Sequence, residues 1–180
     1  MLRHDGPVFV IGNLDWAGDR LADRLGSHPG LCRVPRSRLL LDLAVAIDRN
    51  QPALARYGMS EQYWLKAVAG FFDGLQRDHA VRDRKTRWAT YVSSSGLSIE
   101  QLDRMFPTAQ FVHVITRPRG GAGRVISANR RAASRLLPGR YLEITEDEVA
   151  GAIDVCALRV LRFLGEEDLV AGEPDALVLH

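Results

Sequence analysis

The sequence has few cysteines and no large excess of charge of either sign. Cys32 and Cys156 are the two cysteines among 180 residues, and they lack the close spacing of metal ligands or of a disulfide framework. This favours a reducing, intracellular location, and we expect no metal site. Lys and Arg total 24 against 22 Asp and Glu, and a net charge of +2 gives no reason to expect nucleic acid or an acidic membrane as a partner.

Long apolar segments are also lacking. Apolar residues nowhere run together for the roughly eighteen positions that a membrane span needs, and residues 1–6 contain no apolar segment of signal-peptide length. We therefore expect a cytoplasmic protein. The length and the 46% hydrophobic content suit one domain with a full core, which we assign to residues 1–165, followed by an acidic C-terminal tail at 166–180. Composition leaves open whether the chain forms a homo-oligomer.

Short apolar runs alternate with helical patterns along the chain. Val8–Ile11 and Val112–Ile115 have strand length, whereas residues 19–27, 37–48 and 60–75 repeat apolar side chains at helical spacing. This alternation predicts an α/β fold, a P-loop-like three-layer sandwich in which a central parallel sheet carries helices on both faces. The two apolar runs are predicted as central strands whose carboxyl ends face one cleft.

Polar residues predict where several helices begin. Ser60 is a candidate N-cap, and Ser98 and Thr145 each precede a Gln or Glu by three residues, which is the pattern of a capping box. The helix after Thr145 is predicted to run to Leu164. The helix after Ser60 is predicted to bury its apolar side, formed by Tyr63, Trp64, Ala67, Val68, Phe71, Phe72 and Leu75.

The segment after the first strand has the position of a phosphate-binding loop without its residue types. Such loops offer a basic residue and a hydroxyl at a helix N-terminus, whereas this one contains Asp15, Trp16 and Asp19. A carboxylate about 4 Å from a phosphate costs on the order of 4 kcal/mol at an effective dielectric of about 20. Two plainer roles are open here: Asp19 as the N-cap of its helix, and Trp16 as filler of a vacated ligand space.

Four separated segments share their order and spacing with the motifs of one enzyme family. They are Pro7–Gly12, Leu21–Pro29, Phe106–Arg119, and Arg140–Ile144 leading into Val160–Gly165. These segments resemble the first strand, the RLLxSHP helix end, the FPDAxFIHIVRDPRD strand and the RYExL…LLxFLG close of the sulfotransferases. That family transfers a sulfuryl group from 3′-phosphoadenosine 5′-phosphosulfate (PAPS). The resemblance spans most of the chain and implies a sulfotransferase-like fold.

The resemblance places several functional positions of the family on unusual residues. The sulfate-binding loop, PRSGTT, falls on residues 14–19, with Asp15 in place of the basic residue and Asp19 in place of the final threonine. The basic residue of the RWGDKTP strand falls on Tyr91. The acid or histidine that acts as the family's base falls among residues 35–38.

The 3′-phosphate site that the resemblance implies is also altered. The arginine that opens RDPRD falls on Thr116, with Arg117 one place later and Arg119 retained. The serine that shares this phosphate falls near Arg124, unless a shift brings in Ser127.

Three functions remain open from the sequence. The first is a repurposed protein that binds or modifies a small molecule in the old donor and acceptor cleft, without a cofactor. The second is an active PAPS-dependent sulfotransferase that acts on a hydroxyl or amine through a displaced phosphate site, and the third is a non-catalytic accessory subunit. The candidate catalytic residues are Asp15 and Asp19, each as a general base. The candidate ligand-binding residues are Asn13, Trp16, Arg36, Tyr91, Ser93, Thr116, Arg117, Arg119, Arg124 and Ser127.

Overall fold

The computed structural model describes residues 6–12, 15–35, 38–93, 96–115 and 122–166, with the backbone alone at residues 15 and 122–125. Its core is one sheet of five parallel strands in the order β2-β3-β1-β4-β5. The strands are β1 (Val8–Gly12), β2 (Leu31–Arg33), β3 (Arg87–Ser93), β4 (Gln110–Ile115) and β5 (Tyr141–Thr145). The predicted α/β class with a central parallel sheet is therefore confirmed.

Both predicted central strands lie inside the sheet. β1 pairs with β3 on one side and β4 on the other, and β4 in turn pairs with β5. Val8 and Val10 face one apolar layer, whereas Phe9 and Ile11 face the other, and all four side chains are fully buried. Burial on both faces explains why this strand is an uninterrupted apolar run.

Helices occupy both faces of the sheet. They are α1 (Asp15–Gly26), α2 (Leu39–Arg49), α3 (Gln51–Leu54), α4 (Glu61–Arg82), α5 (Ile99–Met105), α6 (Ala122–Leu136), α7 (Glu146–Gly151) and α8 (Ile153–Leu164). α1, α7 and α8 cover the Val8 face, and α2, α4, α5 and α6 cover the Phe9 face. None of these helices, in the part of the chain described, is long and apolar enough to span a bilayer.

The capping predictions hold, but one helix is shorter than predicted. Ser60 accepts the Tyr63 N–H, and the boxes at Ser98 and Thr145 are both complete. The helix that begins after Thr145 ends at Gly151, and α8 begins separately after Ala152, whose φ of −152° is not helical. Gly151 is a poor helix former, which favours a break at this point.

The predicted buried side of α4 is partly wrong. Phe72 is buried as expected, but Phe71 is 60% exposed, and Tyr63 and Leu75 are about half exposed. The residues that α4 buries are Leu65, Ala69, Phe72, Gln76 and Ala80. These positions follow the helical repeat equally well, so a sequence with apolar residues around most of the helix does not identify which side packs.

A buried arginine joins the segments near the amino ends of the central strands. Arg87 donates to the Gly6 carbonyl at 2.9 Å, to the Gln110 side chain at 2.8 Å and to the Glu166 carboxylate at 3.1 Å. Both charged side chains are almost inaccessible to water. Glu166 is the first residue of the predicted tail, whose remainder, residues 167–180, lies outside the described residues.

Candidate functional site

The carboxyl ends of the strands form the edge where the candidate site was predicted. Because all five strands are parallel, Gly12, Ser93, Ile115 and Thr145 end on the same side of the sheet, whereas the short strand β2 stops at Arg33, level with Ala89 and Val8. The predicted residues Asn13, Arg36, Thr116, Arg117 and Arg119 lie outside the described residues. For Asp15 and Arg124 the helix backbone is described and the side chain is not.

The segment that follows β1 is already helical at Asp15. Trp16 is therefore the second residue of α1, and 46% of its surface is exposed. Asp19 is the fifth residue of the same helix, so the alternative that it is the N-cap is wrong. Helix formation four residues earlier than predicted places Trp16 at the beginning of α1, close to the end of β1.

Asp19 is held by a cation from the neighbouring edge of the sheet. Its carboxylate accepts a hydrogen bond from Arg33 Nη2 at 3.1 Å, and both side chains are about a quarter exposed. Arg33 also forms an ion pair with Asp23, one helical turn further along α1. One guanidinium thus serves two carboxylates.

Tyr91 supports the backbone at the end of β1. Its side chain is 3% exposed, and its hydroxyl donates to the Gly12 carbonyl at 2.8 Å. A Cβ added at Gly18 would overlap the Tyr91 ring, so glycine at this position lets α1 approach the sheet closely. The phenol therefore fixes α1 against the end of β1. Direct contact between Tyr91 and a ligand stays a prediction.

The two candidate serines lie on different parts of the scaffold. Ser93 pairs with Gly12 at the edge of the sheet and is half-buried. Ser127 is exposed on α6, which packs on the face of the sheet opposite to α1. The sheet therefore brings Ser93 next to the end of β1, whereas Ser127 lies on a helix of the other face.

A cavity between α5 and α6 contains polar residues that the sequence analysis did not select. It has a volume of about 450 Å³ and is lined by Ser98, Glu100, Ala128, Asn129, Arg131, Ala132 and Arg135. Asn129 is 5% exposed, yet its amide nitrogen has no hydrogen-bond partner within the described ranges of the chain. Arg135 pairs with Glu100 at 2.6 Å, whereas Arg131 has no ion-pair partner among the described residues. One feature of the sequence could have identified this site: Asn129 occupies a core-facing position among residues that are otherwise apolar.

A chain of hydrogen bonds, buried at His113 and exposed at Arg130, connects β4, β5 and α6. The Tyr141 hydroxyl donates to Glu143 at 2.8 Å and lies 2.7 Å from His113 Nδ1. Because that hydroxyl has one proton, Nδ1 of neutral His113 must donate to it, which leaves Nε2 as a bare acceptor. Nε2 is buried and has no partner among the residues that the structure describes. Arg130 holds the far end of the chain through two hydrogen bonds to Glu143.

The pKa values along this chain follow from burial and from the Arg130 contact. Burial lowers the pKa of His113 to about 4, so the ring is neutral at physiological pH. The Arg130 hydrogen bonds lower the pKa of Glu143, whereas burial, followed by the bond to Glu143, raises the pKa of Tyr141. At neutral pH the chain therefore consists of a carboxylate, a protonated phenol and a neutral imidazole.

Comparison with known proteins identifies the fold of this chain. No family model and no curated protein matches the sequence. Among solved structures, the sulfotransferase domain from the Synechococcus PCC 7002 olefin synthase is 20% identical, with a TM-score of 0.56, over 88% of this chain and 72% of that domain. The sulfotransferase domain from the curacin biosynthetic pathway is 11% identical, with a TM-score of 0.58, over 89% of this chain and 74% of that domain. The chain therefore has a sulfotransferase-like fold.

Proposed function

We propose that this chain binds a small molecule at the carboxyl edge of its sheet and does not use PAPS as a donor. The observation that carries the proposal is the beginning of α1 at Asp15, directly after β1. A helix N-terminus favours negative charge, and here the chain supplies an acidic residue of its own. Whether the bound molecule is also modified, with Asp15 or Asp19 as a general base, is a question for activity assays.

The charges around α1 support the same proposal. Arg33, at the end of β2, is already shared between Asp19 and Asp23. A phosphosulfate placed against this part of α1 would meet two carboxylates and a cation already paired with them. A neutral or cationic ligand would meet no such repulsion.

A cavity between α5 and α6, on the face of the sheet opposite to α1, is a second and separate space for a small molecule. Its volume of about 450 Å³ is within the range of small-molecule sites. The unpaired amide nitrogen of Asn129 is a donor, and Arg131 adds a cation. A ligand with a carbonyl or carboxylate oxygen would satisfy both groups.

Calorimetric titration with PAPS and with 3′-phosphoadenosine 5′-phosphate is expected to detect no binding at submillimolar concentration. Asp15 and Asp19 near the N-terminus of α1 would repel the anionic nucleotide, and Arg33 is already paired with carboxylates of the chain. A dissociation constant tighter than about 0.1 mM, near −5.5 kcal/mol, would contradict the proposal. The matched variant combines Asp15→Arg with Asp19→Thr, the residue types of the sulfotransferase loop, and should bind the nucleotide more tightly than the wild type does. Equal affinities would show that these carboxylates are not what excludes the donor.

Replacement of Trp16 by alanine is expected to change the free energy of unfolding by less than about 1 kcal/mol, because the indole is 46% exposed. Trp88→Ala is the matched control, since that indole is 2% exposed and packs against Phe9, Phe72 and Phe106. It should cost far more stability in the same urea titration. A loss of about 3 kcal/mol for Trp16→Ala would identify Trp16 as filler and would favour the accessory-subunit alternative.

An active sulfotransferase is the second candidate, because the two solved structures compared above are sulfotransferase domains with a similar fold. Under this alternative, Arg117, Arg119, Arg124 and Ser127 form a displaced phosphate site. The calorimetric titration distinguishes the two candidates, since an enzyme of this kind must bind PAPS. An assay for sulfuryl transfer to hydroxyl and amine acceptors would then identify the substrate class.

A further inference from the structure

Three side chains of different chemistry meet between β2 and the end of α4. Cys32 lies in β2, His79 lies in the last turn of α4, and Asp83 is the C-cap of that helix. Their sulfur, nitrogen and oxygen atoms all lie within 4.8 Å of one another. Because His79 and Asp83 are four residues apart, they project from the same side of α4.

The separations are close to those of a coordinated metal. Cys32 Sγ donates to Asp83 Oδ2 at 3.3 Å. Tetrahedral zinc has bonds of about 2.3 Å to sulfur and about 2.0 Å to nitrogen and oxygen, which places neighbouring ligand atoms roughly 3.3–3.8 Å apart. The sulfur and oxygen atoms already have this separation. The His79 ring, which makes no hydrogen bond within the described part of the chain, needs to move by about 1 Å, a side-chain adjustment.

The position at the end of α4 favours a cation. The C-terminus of a helix carries partial negative charge, and a carboxylate at this point is unfavourable unless a positive group is nearby. Asp83 is such a carboxylate, and it lies beside a thiol that is fully buried. The neighbouring Lys85 ammonium contacts the Gly26 carbonyl. A divalent cation among these three groups would neutralise the carboxylate and replace the weak thiol hydrogen bond with a metal–sulfur bond.

A cavity lies beside one member of this cluster. It has a volume of about 250 Å³, and its lining includes His79 together with Pro35, Leu39, Gln76 and Arg82. Three protein ligands leave the fourth position of a tetrahedral zinc ion for water or another exchangeable ligand. A thiolate, imidazole and carboxylate set suits zinc better than magnesium or calcium, which prefer oxygen ligands.

We propose that Cys32, His79 and Asp83 bind one zinc-like divalent cation, with a fourth position left for an exchangeable ligand. Cys32 pairs with Trp88 near the start of β3, so this site lies away from the carboxyl edge of the sheet and is independent of the proposed function. Binding releases the Cys32 proton to solvent and leaves a thiolate on the metal. The metal would then join the short edge strand β2 to α4.

The test is a titration of the tag-free, reduced full chain with Co²⁺, followed by competition with Zn²⁺. One equivalent of Co²⁺ should produce a sulfur-to-cobalt charge-transfer band and the visible bands of four-coordinate cobalt, and Zn²⁺ should abolish both. Cys156→Ser, which removes the other buried thiol, is the matched control and should keep both bands. Cys32→Ser should lose the charge-transfer band.

His79→Gln and Asp83→Asn keep the test decisive if Cys32→Ser fails to fold, because both positions are at least partly exposed. Each variant should weaken Co²⁺ binding by at least about tenfold. The proposal is overturned if the wild type gives no charge-transfer band with excess Co²⁺, if the band survives in Cys32→Ser, or if His79→Gln and Asp83→Asn bind as tightly as the wild type.

Discussion

Replacement of Arg87 by methionine is expected to lower the free energy of unfolding by about 3–5 kcal/mol, since one partner of a buried ion pair is removed. The Glu166 carboxylate, which is 1% exposed, would keep its charge without the Arg87 partner that faces it. The Gly6 carbonyl and the Gln110 side chain would also lose their donor. Urea unfolding at pH 7, followed by far-ultraviolet circular dichroism, measures this loss.

Two further variants separate the buried charge from the general effect of losing an arginine. Arg135→Met removes an exposed ion pair with Glu100 and should cost less than about 1 kcal/mol. The double variant of Arg87→Met with Glu166→Met removes both charges of the pair and should recover part of the loss, because buried ion pairs can be replaced by apolar residues of similar size. If Arg87→Met costs no more than Arg135→Met does, the Arg87–Glu166 pair is not buried in solution.

The central strands of the sheet could be predicted because burial on both faces requires an apolar residue at every position. A strand covered by helices on both faces must be apolar throughout, and Val8–Ile11 shows this directly in the sequence. The neighbours of that strand could not be predicted. β1 lies between β3 and β4, which are about 80 and 100 residues away along the chain, and strand pairs of this kind leave no local pattern.

The main error in the predicted fold was the side of α4 that faces the core. Phe71 and Phe72 are adjacent and equally apolar, but α4 buries only Phe72 because that side meets Trp88 and Phe106. The amphipathic pattern gives the period of a helix, and its packing partners determine the side that is buried. Gln76, a polar residue on the buried side, also obscures the pattern.

The location of the candidate site could be predicted from the sequence, but most of its side-chain contacts could not. Parallel strands bring their carboxyl ends together, so the end of β1 and Ser93 could be expected at one edge. The contact between Asp19 and Arg33 depends on how α1 lies against β2, and the contact between Tyr91 and Gly12 depends on the strand order. The proximity of Cys32 and His79 likewise depends on how α4 packs against β2, and their separation in the sequence gives no sign of it.

Lowering the pH from 7.5 to 4.5 is expected to reduce the free energy of unfolding by about 2.5 kcal/mol through His113 alone. Burial lowers the pKa of His113 from 6.5 in the unfolded chain to about 4 in the folded one. As the pH falls through 6.5, the unfolded chain takes up a proton at this residue and the folded chain does not. The unfolded state is therefore favoured progressively until the pH approaches 4. Urea titrations at both pH values and equal ionic strength measure the change.

His113→Gln isolates this contribution, because the glutamine amide can donate to Tyr141 and does not titrate. The variant should lose much less stability between pH 7.5 and 4.5 than the wild type does. Burial also lowers the pKa of His28, which adds a loss of the same sign, so His28→Gln is the matched control and should retain the His113 contribution. Equal losses in the wild type and His113→Gln would mean that His113 is protonated in the folded protein as readily as in the unfolded chain. In that case the imidazole would not be the buried, neutral end of the hydrogen-bond chain through Tyr141 and Glu143.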